Sequence, residues 1–397
     1  MLNVKKIYRH LLLVAAMFMM VGLVVACDAP TEIDDVIETA EEAVISEEAT
    51  DDPEPVPEEA TDEPEPVEAQ PTDEPVEEAT LPGEGQQLNV AMPTWDTAYF
   101  QSWVVFLLAE ELGYEVGSPN ILDNPLFYTS VAEGDLDFWA DGWLPLHNTF
   151  LEPVSDRVEI AGTLVQAGAL QGYLIDKATA DEYGITSLED FKDPEIAALY
   201  DTDGNGQANL TGCDPGWGCE LVIEHHLDAY DLRDNITHDQ GLYSVLMADT
   251  VSRYQAGEPI FFYTWTPNWT IVELVPGEDV VWIEVPFPSL PEEQAEFADA
   301  TSLEGVLGCV SDPCEMGFPG NDLAIIANSE WLSDNPALER LFDLVEIPLL
   351  DIAGQNALMI DGEDSDEDIL RHAQEWIQTN QDLVDGWLSE AMAAAGS

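Results

Sequence analysis

T-G-C-D-P-G-W-G-C-E, running from Thr211 to Glu220, sets Trp217 between two glycines and inside a pair of cysteines, Cys213 and Cys219. Pro215 and Gly216 supply a turn, Gly218 permits close backbone approach, and a bridge between the cysteines would hold the indole in one presentation. The residues that follow, from Glu220 to Leu227, read as a helix. The N–H groups of Gly218 and Cys219 therefore fall at a helix N-terminus, where orphan donors and the helix dipole favour an anion. An aromatic face beside such donors suits a small zwitterion.

The cysteine count supports the bridge. Of five cysteines, Cys27 stands apart near the N-terminus, leaving Cys213 with Cys219 and Cys309 with Cys314. Two short-loop disulfides fit an exported chain. A zinc site from the same four is the other reading, and their separations are poor ligand spacing.

Export is written at the start of the chain. Lys5, Lys6 and Arg9 precede an apolar run from Leu11 to Val25, and small Ala26 stands directly before Cys27. This is an export signal with a lipoprotein box, so residues 1–26 are expected to be removed and Cys27 to carry lipid. The apolar run is short for a membrane span. The rest of the chain is expected outside the cytoplasmic membrane, held to its outer face, periplasmic or at the cell surface.

From Cys27 to about residue 86 the composition turns to Asp, Glu, Pro, Ala and Thr, without Lys or Arg. Such a stretch cannot bury a core and is expected to be a disordered tether. As a flexible coil it would span roughly 40 Å.

Residues 87–397 are enough for two lobes of ordinary domain size. The whole chain carries a formal charge of −71, and Lys177 and Lys192 are the only lysines beyond the export signal. A nucleic-acid partner is disfavoured, because it requires a basic footprint.

Strand-like and helix-like segments alternate through this body. Leu88–Met92, Leu136–Trp139, Pro259–Tyr263, Val280–Val285 and Asp322–Ala327 read as strands, and Ala98–Leu112 as an amphipathic helix. The last seventy or so residues are helical in pattern, with Asn328 and Ser365 placed to open helices. The alternation argues an α/β fold with mixed sheets.

Two further tryptophan segments resemble the opening loop in setting. A-D-G-W-L-P-L-H holds Trp143 and His147, and Y-T-W-T-P-N-W holds Trp265 and Trp269. Each places an indole at a strand end or loop beside Pro or Gly, where ligand contacts of α/β proteins usually lie. For any one of them core packing is the plainer reading.

Taken in order, with Q-G-Y-L-I-D from Gln171, M-A-D-T-V-S-R-Y from Met247, Y-Q-A-G from Tyr254 and I-A-G-Q-N-A from Ile352, these segments resemble the substrate-binding proteins of glycine betaine and proline betaine ABC transporters. The resemblance runs from about Leu81 to the C-terminus. It implies a periplasmic-binding-protein fold of the second type, with two lobes closing on ligand at a hinge. Lobe one would comprise 87–176 and 317–397, and lobe two 177–316. It implies an aromatic box for the quaternary ammonium from Trp143, Trp217 and Trp265. It also implies a carboxylate held by the His147 side chain and the backbone N–H groups of Gly218 and Cys219. The partners implied are a permease and its ATPase, and the membrane is met only through the lipid anchor.

The chemistry agrees with that implication. A trimethylammonium group has no N–H to donate and is recognised by aromatic faces, at about 0.5–2 kcal/mol per ring. A carboxylate wants donors. The same fold binding choline, carnitine or another methylated solute is the nearest alternative, and an acidic cell-surface adhesion protein is another.

This chain departs from the family at a few places. Gly142 stands where the family commonly has Asn, and Asp141 before it is expected to face solvent. The Cys309–Cys314 segment reads as an added structural staple. Asp201, Asp203, Asn205, Gln207 and Asn209 resemble the start of an EF-hand calcium loop, but the bidentate Glu is missing at Gly212. A calcium site and a plain Asx-rich turn both remain, with the turn favoured and no other cofactor expected. His225 and His226 are adjacent on a helix, point to different faces and make a poor chelate. No Ser/His/Asp set, catalytic carboxylate pair or phosphate loop can be placed, so the reading is a binding module and not an enzyme.

Overall fold

The computed structural model describes residues 80–396. The export signal, Cys27 and nearly all of the expected tether lie outside them.

Near the start of this body, β1 (Gln87–Leu88) and β2 (Ala91–Pro93) pair in parallel with β3 (Glu115–Val116) and β4 (Asn120–Leu122). The main sheet is built from β5 (Phe138–Leu144), β6 (Val158–Asp176), β7 (Ala208–Thr211), β8 (Ile236–Asp239), β9 (Phe261–Thr266), β10 (Val280–Ile283) and β13 (Asn321–Asn328). A small pair, β11 (Ser302–Leu303) with β12 (Cys314–Glu315), lies off it. The sheet is mixed: β5, β13, β6, β9 and β10 pair antiparallel, while β7 runs parallel to β8 and β9.

β6 joins the two ends of this sheet. Residues Val158 to Ala169 pair with β13, whereas Leu170 to Asp176 pair with β9 and β10. The change of partner follows Ala167, a non-glycine residue at φ 47°, and Gly168. The glycines inside β6 mask it as a strand in the sequence, yet packing explains them. A Cβ on Gly162 would fall 1.9 Å from the Phe342 carbonyl oxygen, and one on Gly172 would fall 2.9 Å from Met316 Cε. The backbone of Phe342 excludes a side chain at Gly162, and at Gly172 one would have to displace the end of Met316 and press on Trp282.

Helices cover the sheet. Tyr99–Glu111 packs on Asp366–Thr379, and Pro336–Leu344 on Gln381–Ala395. Leu338, Leu341, Phe342, Val384 and Leu388 of these last two helices are buried, and Phe342 meets Phe138 of β5 at 4.8 Å between ring centroids. The expected caps are present, with the Asn328 side chain accepting from Trp331 N at 2.9 Å and Ser365 Oγ from Asp368 N at 3.2 Å.

Two expected strands are displaced. The strand read at Leu136–Trp139 runs on as β5 to Leu144, and that read at Pro259–Tyr263 begins later and reaches Thr266. Trp143 and Trp265 therefore belong to the ends of strands. Gly142 lets β5 continue, since a Cβ there would meet Ile326 Cγ1 on β13 at 2.5 Å. Both disulfides, Cys213–Cys219 and Cys309–Cys314, are formed.

Candidate functional site

The ends of β5 and β9 and the start of one helix converge on a small, closely walled cavity. It is lined by Trp143 and His147 from β5 and the turn after it, Trp217, Gly218 and Cys219 from the disulfide loop, and Trp265 from β9. All six residues expected to meet ligand are brought together. Trp95, Gln171 and Tyr263 complete much of the wall, and the sequence reading did not single out any of the three in this role.

The Trp217 loop is built as its composition suggests. Trp217 N donates to Asp214 O at 3.2 Å across Pro215 and Gly216, and Gly216 sits at φ 93°, where only glycine is unstrained. Glu220 Oε2 accepts from Gly216 N at 2.8 Å, and Asp214 Oδ1 accepts from Tyr243 N at 2.7 Å. The helix Gly218–Ala229 starts directly after Trp217 and has no side-chain cap. Its first N–H groups have no partner within the helix, and Gly218 and Cys219, which carry two of them, line the cavity.

Four indoles define the other part of the cavity. Trp217 stands edge to face with Trp95 at 5.3 Å between centroids and with Trp265 at 5.7 Å. Every indole N–H of the four is taken by a protein oxygen. Trp217 Nε1 donates to Thr94 Oγ1 at 2.7 Å and Trp265 Nε1 to Thr97 Oγ1 at 3.2 Å. Trp95 Nε1 and Trp143 Nε1 both donate to Asp141 Oδ2, at 2.7 and 3.0 Å. The segment from Thr94 to Thr97 is thus a hub for the cage, supplying one wall and anchoring two others.

Asp141 corrects the expectation that it faces solvent. It is 1% exposed, and it accepts a third hydrogen bond at Oδ1 from Gln101 Nε2 at 2.9 Å. Burial pushes its carboxyl above the usual range, and the bonds from Gln101, Trp95 and Trp143 oppose that shift. An aspartate can be buried here because these donors satisfy it.

His147 is also buried, and desolvation holds its imidazole down at about 3, so the ring is neutral at physiological pH. Its Nδ1 accepts from Trp143 N at 3.1 Å and lies 3.3 Å from Tyr128 Oη. The proton is therefore on Nε2, which faces Asn124 Nδ2 at 2.6 Å. Two donors would oppose each other in that arrangement. Turning the Asn124 amide over places Oδ1, otherwise without a partner, on the Nε2 proton. The ring then has one donor, the Nε2 proton, and Asn124 holds it.

Gln171 lies beside Trp265 in the β6–β9 register. Its Oε1 accepts from Tyr263 Oη at 2.5 Å, while its Nε2 is buried without a partner. The cavity thus combines aromatic faces with backbone and side-chain donors, a set suited to a small ligand with a bulky cation and a carboxylate.

The family model described as the substrate binding domain of an ABC-type glycine betaine transport system matches residues 86–379. The chain belongs to this family. Its work is solute capture for ABC transport, not turnover. The chain is 46% identical over 317 residues to a glycine betaine/proline betaine-binding periplasmic protein of Escherichia coli, covering 80% of this chain and 93% of that one. It is 44% identical to the glycine betaine-binding periplasmic protein OusX of Dickeya dadantii, covering 79% and 92%. Among solved structures it is similar to the glycine betaine, L-proline-binding protein ProX of Borrelia burgdorferi, with TM-score 0.61, 17% identity and coverage of 78% and 100%. It is also similar to lactococcal OpuAC in a closed form with glycine betaine, with TM-score 0.56, 20% identity and coverage of 76% and 99%. The fold is that of the periplasmic binding proteins of the second type.

Other sequence signals resolve plainly. Asp201 accepts from the N–H groups of Gly204, Asn205 and Gly206 at 2.7, 3.2 and 2.8 Å, which holds its carboxyl below the usual range. Among the described residues no group of three or more His, Cys, Asp or Glu is arranged to hold a metal ion. His226 is fully buried between Tyr173 Oη at 2.7 Å and the Ser289 carbonyl at 2.9 Å, and His225 reaches Ser289 Oγ at 2.8 Å. No described helix is long and apolar enough to cross a membrane.

Proposed function

We propose that this chain is the substrate-binding component of an ABC transporter and captures glycine betaine or proline betaine for delivery to a permease driven by its ATPase. One observation carries the reading. A cage of indole faces, with every N–H engaged elsewhere, opens on the same cavity as the uncapped N-terminus of the helix Gly218–Ala229. The faces suit an ammonium without hydrogens, and the amides of Gly218 and Cys219 suit its carboxylate, which would receive the His147 N–H as well by replacing Asn124 as its acceptor. The donor end favours a betaine over choline.

Calorimetry tests this directly. Glycine betaine and proline betaine should bind, and choline should bind more weakly. Equal affinities would remove the carboxylate role of His147, Gly218 and Cys219, and no binding by any of the three would overturn the reading.

Two lobes are part of the proposal, one from 87–176 with 317–397 and the other from 177–316. The exchange of strand partners along β6 supports a hinge there, with the change itself falling ahead of Asp176. Ligand touching both lobes would shift the population towards the closed form. We further propose that Cys27 carries lipid and holds the protein at the outer face of the membrane. The three backbone N–H groups that Asp201 accepts from support an Asx-rich turn at 201–209 over a calcium site.

A further inference from the structure

Beneath the indole cage lies a carboxylate with no cationic partner. Asp141 takes hydrogen bonds from Trp95, Trp143 and Gln101, and no ion pair among the described residues includes it. Indole N–H groups can only donate, and Gln101 donates through Nε2 as well, so the three bonds together suit an ionised carboxylate. A buried anion without a counter-ion is costly in a protein interior. Here two of the three groups that satisfy it are themselves walls of the cavity.

The geometry points to Asp141 as a positioning residue that acts through Trp95 and Trp143 to select a cationic headgroup over a neutral one of the same shape. The inference rests on the betaine reading and deepens it. The bound ammonium supplies the missing counter-charge at one indole's remove. A carboxylate on the indole N–H also enriches the ring in electrons, and a cation is drawn to the negative face of such a ring. Trp95 has a double part, as a fourth wall and as one of the two links between carboxylate and cavity. The upward pressure of burial on Asp141 runs the same way, since a nearby cation relieves it.

Asp141→Asn keeps the shape and an acceptor oxygen while removing the charge. Two ligands should be titrated against both proteins: glycine betaine and 3,3-dimethylbutanoate, which keeps the carboxylate and replaces the quaternary nitrogen by carbon. Loss of charge should weaken betaine by about tenfold and the neutral isostere by less than about twofold. Equal weakening of both ligands, or weakening of neither, would overturn the inference and leave Asp141 a structural acceptor. If the isostere binds neither protein, near-ultraviolet circular dichroism of the free proteins decides. A wild-type indole spectrum with weakened betaine binding supports the charge role, and an altered spectrum overturns it. A wild-type protein that binds no betaine would instead overturn the betaine reading, and this inference with it.

Discussion

Gly218 lies against Leu146 so closely that a Cβ on the glycine would stand 2.8 Å from Leu146 Cγ and 3.2 Å from His147 Cδ2. The helix start and the turn after β5 are thus in contact through a position that admits no side chain. Within an open helix Gly→Ala gains about 1 kcal/mol, but here the added carbon must push Leu146 and His147 away. Gly218→Ala should therefore weaken betaine binding by about tenfold or more and should not raise the melting temperature. Calorimetry with a thermal melt reads both. A more stable variant of unchanged affinity would show that the contact does not shape the cavity.

Trp217→Ala removes the ring that faces both Trp95 and Trp265. A desolvated cation–ring contact is worth about 2 kcal/mol or more, and about 1.4 kcal/mol is one decade in affinity. The expected loss is at least about tenfold for glycine betaine by calorimetry. Unchanged affinity would reject Trp217 as a cage wall.

The Cys213–Cys219 bridge ties the loop to the first turn of the helix whose amides meet the cavity. Cys213→Ser releases that tie, and by the chain-entropy relation closing so short a loop is worth about 2 kcal/mol. The variant should melt at lower temperature and also bind betaine more weakly at a temperature where it is fully folded. Affinity preserved under those conditions would make the bridge a matter of stability alone.

Asp214 offers a pH-dependent test within the same loop. Burial pushes its carboxyl up to about 6, above its unfolded value, while the Tyr243 amide pulls the other way. The folded state therefore binds more protons than the unfolded state between the two values, and this group's contribution to stability falls as pH rises through about 6. Asp214→Asn retains an acceptor for Tyr243 N and removes the titration. It should raise the melting temperature relative to wild type at pH about 8 and lose that advantage near pH 4. A difference independent of pH would contradict the assignment.

Much of this site could be read from local chemistry. Pro215, Gly216, Gly218 and the paired cysteines each have a stereochemical reason visible within the ten residues around Trp217, and the strand ends carrying Trp143 and Trp265 were marked by Pro and Gly. Trp95 and Asp141 were hidden for a different reason. They are 46 residues apart, and nothing in either neighbourhood announces the bond between them. Aspartate before Gly-Trp reads as exposed because unpaired carboxylates are so seldom buried. Only the fold brings two indole N–H groups and Gln101 to it. Thr94 and Thr97 were silent likewise, since a threonine hydroxyl has no signature until its partner is known. β6 escaped notice because Gly162 and Gly172 imitate a loop, while their real cause is the nearness of Phe342 and Met316.

The engagement of all four indole N–H groups has a consequence for what the cavity refuses. With Thr94, Thr97 and Asp141 accepting from the rings, the four indoles present their faces, and not hydrogen-bond acceptors, to a nitrogen set among them. An ordinary amino acid brings N–H groups that would be stripped of water and left unmatched, at about 1–3 kcal/mol for each. Full methylation removes that penalty. Common amino acids would be turned away for the hydrogens they carry, and the receptor would stay vacant for the solute without them.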